Sequence, residues 1–324
     1  MEGVTFFYDW EVALMEALQG GMGSAMTLLM SVFTYFGEEM IAIAILAFLY
    51  WVWDKEAAVY AGTNVLVGTV CNPFLKNFAL RRRPYFDNPG IRCLKPVHKG
   101  DIYDISAQGY SFPSGHSSNS TILFSSLALV HRFVRRPDRD EIRRGDVLYT
   151  RPRVWTVLAV FLPLLVGLSR VMLGVHYPTD VLAGWASGVL VVLVMSYIQR
   201  RVRHRERMYL VLAVLFLPGF FICKTNDFFT CYGIMSGFFA ARVLDEKRIR
   251  FEGTRNVQAA VLRLAIGFAL FGALNVGLKL PFSDEFLHSA TTGQFLFRAF
   301  RYFLISFVML GLYPALFQRV KWLS

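Results

Sequence analysis

Three short clusters in the sequence combine cations with side chains that transfer protons or attack electrophiles. Lys76 and Arg83 are seven residues apart, a spacing that puts them on one face of a helix about two turns apart. Ser114, Gly115 and His116 stand directly before an apolar run. There a serine is a candidate N-cap, and the free N–H groups of a helix start face an anion. These two clusters predict an anion-binding site that contains a histidine.

The third cluster contains Arg170, His176 and Asp180. Pro178 suits the first turn of a helix, which places Asp180 near His176 across the helix start. A neutral histidine that a carboxylate orients is the arrangement of a nucleophile. Each piece also has a plain structural explanation, since cations anchor span ends and an acid in a first turn complements the helix dipole. The combination of so many ionisable groups at the ends of apolar runs predicts a functional site.

The composition restricts the class of protein in which these clusters occur. The chain has 324 residues, of which 55% are hydrophobic and only 18% are charged. An ordinary soluble domain has about 25% charged residues, so this balance excludes a disordered chain and favours a polytopic membrane protein. Four cysteines are too few for a disulfide scaffold. Cys223 and Cys231 flank a short turn, and the spacing leaves their pairing open.

Ten charge-free apolar runs are candidates for membrane-spanning helices, each of which needs about 20 predominantly apolar residues. They cover Ala17–Gly37, Met40–Trp53, Ala57–Leu75, Ser117–Val130, Val154–Ser169, Val181–Gln199, Met208–Cys223, Phe228–Ala241, Leu264–Leu278 and Tyr302–Gln318. The sequence therefore predicts an all-α integral membrane protein. The opening stretch Phe6–Leu18 mixes acidic residues with aromatics and leucines, a pattern that predicts an interfacial amphipathic helix.

The basic residues, which give a net charge of +11, lie in clusters between the apolar runs. This arrangement is typical of topology signals at an anionic membrane surface rather than of nucleic-acid binding. With ten spans, one face collects 21 basic residues and the other collects 11. The positive-inside rule then predicts that both termini are cytoplasmic and that the three clusters share the extracytoplasmic side of the cell membrane.

The motifs K-x6-RP, PSGH and SR-x5-H-x3-D, in this order, closely resemble those of the type 2 phosphatidic acid phosphatase (PAP2) superfamily. The resemblance covers about Ala17 to Gln199 and implies a six-helix core. We therefore predict a catalytic membrane domain over residues 1–207 and a second region of about four further transmembrane helices over residues 208–324. The layout of these extra helices resembles that of the glucose-6-phosphatase and sphingosine-phosphate phosphatase branches.

The residue types fit the chemistry that the resemblance implies. Three cations neutralise the phosphoryl oxygens of a phosphate ester, and the Ser114 hydroxyl and the Gly115 N–H add donors; the cations are Lys76, Arg83 and Arg170. His176 attacks phosphorus while Asp180 fixes its tautomer and stabilises the imidazolium. His116 protonates the leaving oxygen, and water then hydrolyses the phosphohistidine. The resemblance implies no metal and no other cofactor.

The predicted function is hydrolysis of a lipid phosphate monoester or diphosphate, with a lipid phosphate and membrane lipids as partners. A soluble phosphomonoester such as a sugar phosphate is the alternative substrate. A non-catalytic phospholipid binder or transporter is the alternative of another class. The intact His116, His176 and Asp180 argue against that class, because binding alone needs no nucleophile. No nucleic-acid partner is predicted, and a homo-oligomer is left open.

Overall fold

Helices make up the regular structure of the chain. The computed structural model describes residues 3–96, 101–133 and 152–323, so the arginine cluster at 135–144 lies outside the described residues. Within these ranges the β structure is confined to one isolated parallel bridge between Val4 and Arg81. The predicted all-α fold class is confirmed.

The α-helices in chain order are α1 (Asp9–Gly20), α2 (Ser24–Tyr35), α3 (Glu39–Phe48), α4 (Lys55–Ala79), α5 (Pro84–Asp87), α6 (Ile105–Gln108), α7 (Gly115–Phe133), α8 (Pro152–Met172), α9 (Pro178–Arg201), α10 (Arg205–Leu215), α11 (Gly219–Ile222), α12 (Asn226–Leu244), α13 (Val257–Gly277), α14 (Asp284–His288) and α15 (Thr292–Phe307). In the described part of the chain, π-helical turns lie at Leu49–Trp53, Asp245–Ile249 and Val308–Leu312, and a 3₁₀ turn follows at Tyr313–Leu316.

The chain divides into two compact units. The first contains Met1–Ile43 and Cys71–Arg200, and the second contains Ala44–Val70 and Arg201–Ser324. The transition after Arg200 lies close to the predicted boundary at residue 207, while residues 44–70 group with the second unit. The division into two domains stays a prediction.

In the first unit, small residues let helix ends approach each other closely. Helix α9 packs against the start of α7 through Gly184, where an added Cβ would lie 2.6 Å from the carbonyl oxygen of Ser114. The tight turn after α8 has a similar requirement, because Gly174 has a φ of +78° and an added Cβ would lie 2.1 Å from the carbonyl oxygen of Arg92. Only glycine combines that φ with that space.

The N-terminal segment packs at the same end of the first unit as these turns. The Val4 N–H donates to the carbonyl of Leu80 at 2.7 Å, and the Arg82 N–H donates to the carbonyl of Val4 at 3.1 Å. One face of α1 is buried, and the exposed side chains of the segment include five large apolar or aromatic ones: Val4, Phe6, Tyr8, Trp10 and Leu14. This pattern agrees with the amphipathic helix predicted for Phe6–Leu18.

Among the described residues, four helical segments are long and apolar enough to cross a membrane. They are Val154–Met172, Pro178–Arg201, Val257–Gly277 and Thr292–Leu316. A fifth candidate is the pair Ser24–Tyr35 and Glu39–Trp53, whose axes bend by 46°. Such a bend is typical of a single broken span or of a re-entrant loop, and the prediction of two separate crossings here stays a prediction. Helix α7 does not meet this hydropathy criterion because it contains many polar residues, although Ser117, Ser118 and Thr121 are buried inside the protein.

In the second unit, α12 and α15 form a close helix pair. An added Cβ at Gly233 would lie 2.3 Å from the carbonyl oxygen of Ala299, and one at Gly237 would lie 2.4 Å from that of Phe303. Small residues of this kind let transmembrane helices approach through their backbones. The four cysteines of the chain form no disulfide bond, including Cys223 and Cys231, whose pairing the sequence left open.

Candidate active site

The eight residues predicted from the motifs all lie in the first unit at the ends of helices. Lys76 is in the last turn of α4, and Arg83 directly precedes α5. Ser114 precedes α7, which begins with Gly115 and His116. Arg170 is in the last turn of α8, His176 is in the turn that follows, and Asp180 is in the first turn of α9.

The two ring nitrogens of His176 face different partners. Nδ1 lies 3.5 Å from Asp180 Oδ2 and 3.4 Å from the Ser111 hydroxyl oxygen. Nε2 lies 3.5 Å from Nη1 of Arg83. A neutral ring that carries its proton on Nδ1, toward the carboxylate, keeps the lone pair of Nε2 on the side of the cation.

Burial of the ring is the largest of the influences that hold the pKa of His176 well below its usual range, followed by the charges of Arg83, Arg170 and Lys76. The sign follows from the chemistry, since both burial and positive neighbours disfavour the imidazolium. Burial and the positive neighbours therefore favour the neutral ring, which is the form that a nucleophile requires.

The Asp180 carboxylate connects the histidine to the rest of the site. It accepts hydrogen bonds from Arg81 Nη1 at 2.6 Å, from the Tyr177 N–H at 2.8 Å and from the Ser111 hydroxyl. Its own backbone carbonyl accepts from the Ser114 N–H at 2.9 Å. The second and third motifs are thus joined at one residue.

Sequence reasoning missed two charged residues that hold this carboxylate. Arg81, which is 2% exposed, donates to Asp180 with one terminal nitrogen and to Glu11 Oε2 at 2.8 Å with the other. Glu11 Oε1 accepts from the N–H of Thr179 at 3.0 Å and from its hydroxyl at 2.6 Å. No local pattern signals this contact, because Glu11 and Arg81 are 70 positions apart.

We expect Arg81→Met to lower the free energy of unfolding by about 3–5 kcal/mol, since it leaves two buried carboxylates without their shared cation. Arg82→Met is a matched control: Arg82 is 33% exposed and its Nη1 lies 3.4 Å from Asp87, so its pair contributes about 0–1 kcal/mol. Thermal unfolding of both purified variants measures the difference. Equal stabilities would show that the buried cation does not hold the two carboxylates.

Backbone carbonyls fix the guanidinium of Arg83. It donates to the carbonyls of Gln108 and Val175 at 2.6 and 2.9 Å, with a further bond to that of Gly109 at 3.1 Å. The side chain is only 1% exposed. Because these hydrogen bonds hold the guanidinium in place, its remaining edge faces His176 without a further loss of side-chain entropy.

Arg170 is buried with unused donors. Its Nη1 donates to the Thr34 hydroxyl at 2.8 Å. Its Nε and Nη2 have no hydrogen-bond partner among the described residues, although both are buried. A buried donor without a hydrogen-bond partner destabilises a protein, so such donors indicate a ligand-binding site. Two N–H groups on one guanidinium fit two oxygens of a phosphoryl group.

The start of α7 brings the second motif next to these cations. The Ser114 hydroxyl oxygen accepts from the Ser117 hydroxyl at 2.9 Å. An added Cβ at Gly115 would lie 3.2 Å from the amide oxygen of Asn72. His116 lies within electrostatic reach of His176 and of the three predicted cations. The structure thus brings all eight predicted residues to one end of the first unit.

The donor set of this site is cationic. In the described ranges no group of three or more His, Cys, Asp and Glu side chains is arranged to hold a metal ion. Three cations and two histidines favour the binding of an anion. The absence of a metal from the reaction stays a prediction.

Two family models match the chain. One, the PAP2 superfamily, covers residues 57–204, and the other, the PAP2 superfamily phosphatase transmembrane extension, covers residues 229–323. A decaprenylphosphoryl-5-phosphoribose phosphatase of Mycobacterium tuberculosis is 30% identical over 203 residues, which are 61% of this chain and 96% of that protein. The chain belongs to the PAP2 superfamily. The resemblance drawn from the three motifs is therefore confirmed.

Two other relatives of this PAP2 chain match over shorter stretches. Phosphatidylglycerophosphatase B of Bacillus subtilis is 32% identical over 104 residues, which are 32% of this chain and 46% of the relative. A lipid A 4'-phosphatase of Porphyromonas gingivalis is 33% identical over 157 residues, which are 47% of this chain and 56% of the relative. The chain thus covers about half the length of these two relatives.

A solved structure is also similar to this PAP2 chain. It is the crystal structure of a transmembrane PAP2 type phosphatidylglycerolphosphate phosphatase from Bacillus subtilis, with a TM-score of 0.45 and 20% identity. The match covers 60% of this chain and 87% of that one. The matched extension family and the apolar helices make this chain a multi-pass membrane protein. The family matches and the named relatives support the prediction that it is a phosphatase.

Proposed function

We propose that this PAP2 chain hydrolyses a lipid phosphate monoester or diphosphate through a phosphohistidine on His176. The observation that carries the proposal is the orientation of that ring. Its Nδ1 lies 3.5 Å from the Asp180 carboxylate and its Nε2 lies 3.5 Å from the Arg83 guanidinium. A phosphoryl group held by the cations meets the lone pair of Nε2.

The reaction has two steps with one intermediate. Nε2 of His176 attacks phosphorus, the bond from phosphorus to the leaving oxygen breaks, and His116 gives that oxygen its proton. Water then attacks the phosphohistidine, His116 takes the proton of that water, and Nε2 leaves as a neutral ring nitrogen. Asp180 stabilises the positive ring while the phosphoryl group is attached.

The cations supply the charge that the transition state needs. Arg83 and Arg170 are buried, and their fixed N–H groups act on the phosphoryl oxygens in a water-poor environment, where such interactions are stronger than in bulk water. Arg170 in particular has two buried donors that no described residue satisfies. The proposed mechanism includes no metal.

A lipid substrate is favoured over a soluble one by the setting of the site. The N-terminal segment at the catalytic end exposes Phe6, Tyr8 and Trp10. Tyrosine and tryptophan are enriched where protein meets the membrane interface, which is the depth of a lipid headgroup. The relatives described above are named for phosphatidylglycerophosphate, lipid A and a decaprenyl-linked phosphoribose.

An assay of phosphate release by the purified chain tests the proposal. The panel contains lipid monophosphates, polyprenyl diphosphates and sugar phosphates in mixed micelles. We expect turnover of at least one lipid phosphate at a higher kcat/KM than any sugar phosphate. Preference for a sugar phosphate supports the alternative substrate, and binding without turnover of any member supports a non-catalytic lipid binder.

We place the catalytic end at the extracytoplasmic face, together with the N-terminus. The basic clusters at 132–153 and 200–207 lie at the opposite ends of α7, α8 and α9 along the chain, and the positive-inside rule assigns them to the cytoplasm. Glu11 contacts Arg81 and Thr179, which belong to the catalytic end. This proposal differs from the cytoplasmic N-terminus predicted from the sequence, which followed from counting α2 and α3 as two crossings.

Accessibility of introduced cysteines in intact cells measures this orientation. We expect a membrane-impermeant thiol reagent to label Thr5→Cys and Asp101→Cys but not Arg203→Cys, because the first two positions lie at the catalytic end. The background chain has Cys71 and Cys93, its two partly exposed cysteines, replaced by alanine. Labelling of Arg203→Cys alone would invert the orientation, and labelling of Asp101→Cys without Thr5→Cys would restore the cytoplasmic N-terminus.

The importance of His116 should depend on the leaving group. An alkyl alkoxide needs a proton, whereas an activated phenolate, with a pKa of about 7 to 10, needs it far less. His116→Ala should therefore slow lipid-phosphate turnover by about 10²-fold or more and be partly rescued on an aryl phosphate. Equal losses on the two substrates would remove His116 from the acid role and leave it as a binding residue.

A further inference from the structure

A second cationic cavity lies in the second unit, apart from the residues of the proposed mechanism. It has a volume of about 100 Å³, and its walls come from the turn after α13, from α14 and from the N-terminal part of α15. Three cations line it, and Asp284 is the one carboxylate in its lining. The cations are Lys279, Arg298 and Arg301. The lining therefore has a formal charge of about +2, and the volume corresponds to about three water molecules.

Arg301 is not an ordinary anchor at the end of a span. An anchoring arginine extends its head into water, whereas Arg301 is only 4% exposed and lies in the interior of α15. Its Nε is buried without a hydrogen-bond partner among the described residues. Its Nη2 makes one long bond, at 3.5 Å, to the amide oxygen of Asn275. A buried charge with unused donors requires a compensating anion.

Neither of the other two cations forms an ion pair among the described residues. Arg298 donates to the Thr230 hydroxyl at 3.4 Å, and in the described part of the chain no ion pair joins Lys279, Arg298 or Arg301 to a carboxylate. Burial, and then the charges of Arg301 and Arg298, lower the pKa of Lys279. The three positive charges therefore act on each other across the cavity.

A neutral acceptor completes the cavity. Gln294 is 2% exposed, and its Nε2 donates to Asn226 Oδ1 and to the carbonyl of Leu287, both at 3.2 Å. Its Oε1 has no partner among the residues that the structure describes. This oxygen accepts a hydrogen bond from a hydroxyl group, which a protonated phosphate or a hydroxylated headgroup provides.

We propose that this cavity is a second phosphoryl-anion site, distinct from the catalytic one, which binds the phosphate of a lipid headgroup or free phosphate. The arginines bind the phosphoryl oxygens, and Gln294 accepts from a hydroxyl of the ligand. Leu280 and Phe300, in the same stretch of chain, are 78% and 58% exposed, so the cavity stands beside an apolar surface of the kind that acyl chains cover. The site gives the transmembrane extension a lipid-binding role that does not depend on the proposed reaction.

Hydrogen exchange of the full chain in phosphatidylcholine nanodiscs tests the proposal. The probes are a lipid with a phosphonate headgroup, which a phosphatase cannot cleave, and inorganic phosphate. We expect the phosphonate lipid to slow exchange in peptides that cover residues 279–298. Slowing by inorganic phosphate as well would identify free phosphate as a ligand, and slowing by the lipid alone would identify the headgroup as the source.

Variants assign the protection to the cavity. Arg301→Met and, at the exposed rim, Lys279→Gln should each weaken the apparent affinity about tenfold, the loss expected for one charged hydrogen bond. Arg248→Gln removes an exposed charge of the same unit outside the cavity and should leave the affinity unchanged. Protection of catalytic peptides at 105–120 without any at 279–298 would overturn the proposal, as would protection at 279–298 that survives both cavity variants.

Discussion

The His176→Ala variant is expected to lose turnover of lipid phosphate and of activated aryl phosphate alike, by about 10⁴-fold or more. The ring supplies the attacking atom, so an easier leaving group does not compensate for its loss. The ring is buried between Asp180 and Arg83, and alanine provides no atom there that can attack phosphorus. The measurement is kcat/KM for both substrates on folded, purified protein.

A second histidine variant controls for nonspecific effects. His204→Ala changes an exposed ring in the second unit and should retain full activity. Turnover by His176→Ala within about tenfold of the parent chain would exclude attack by this ring. In that case the cationic pocket would act on a directly attacking water, and Asp180 would lack the role given to it.

The Arg170→Met variant is expected to lower kcat by about 10²- to 10³-fold, the usual effect of removing a preorganised donor to a developing charge. Arg170 has two buried nitrogen atoms, Nε and Nη2, without a hydrogen-bond partner among the described residues. Both can donate to the oxygens of a phosphoryl group. Arg170→Lys restores the charge but not the planar fork, and should recover less than about tenfold of the loss.

The control for Arg170 is Arg207→Met, which removes an exposed positive charge from the second unit. Comparable kinetics for Arg170→Met and Arg207→Met would show that Arg170 does not bind the reacting group. Full recovery by Arg170→Lys would show that charge alone matters and that the two unused donors bind nothing in the transition state.

The candidate site was largely predictable because its chemistry is local in sequence. The spacing from His176 to Asp180 is one helical turn across a helix start, and the structure has their side chains 3.5 Å apart. Pro178 begins α9 as expected. Ser114 stands before α7, where its N-cap character predicts it. In each case a rule about neighbouring residues predicts where the residue lies. Only the approach of the three clusters to one another depends on the tertiary fold.

The contacts that were missed depend on distant segments. Glu11 supports Asp180 through Arg81, and neither the amphipathic pattern of α1 nor the run of three arginines signals that pairing. The direction of the chain after α2 could also not be predicted from the sequence. Hydropathy marks apolar runs, but it does not predict the 46° bend between Ser24–Tyr35 and Glu39–Trp53.

The most direct test of the account is to trap and map the phosphoenzyme. Rapid quenching of the full chain with a lipid phosphate, followed by mass spectrometry under alkaline conditions, locates the transferred phosphoryl group and distinguishes the two ring nitrogens. We expect phosphate on Nε2 of His176, because Nδ1 faces Asp180 and Ser111. Phosphate on Nδ1 or on another residue would contradict it, and so would inversion of configuration at phosphorus, the result of direct attack by water.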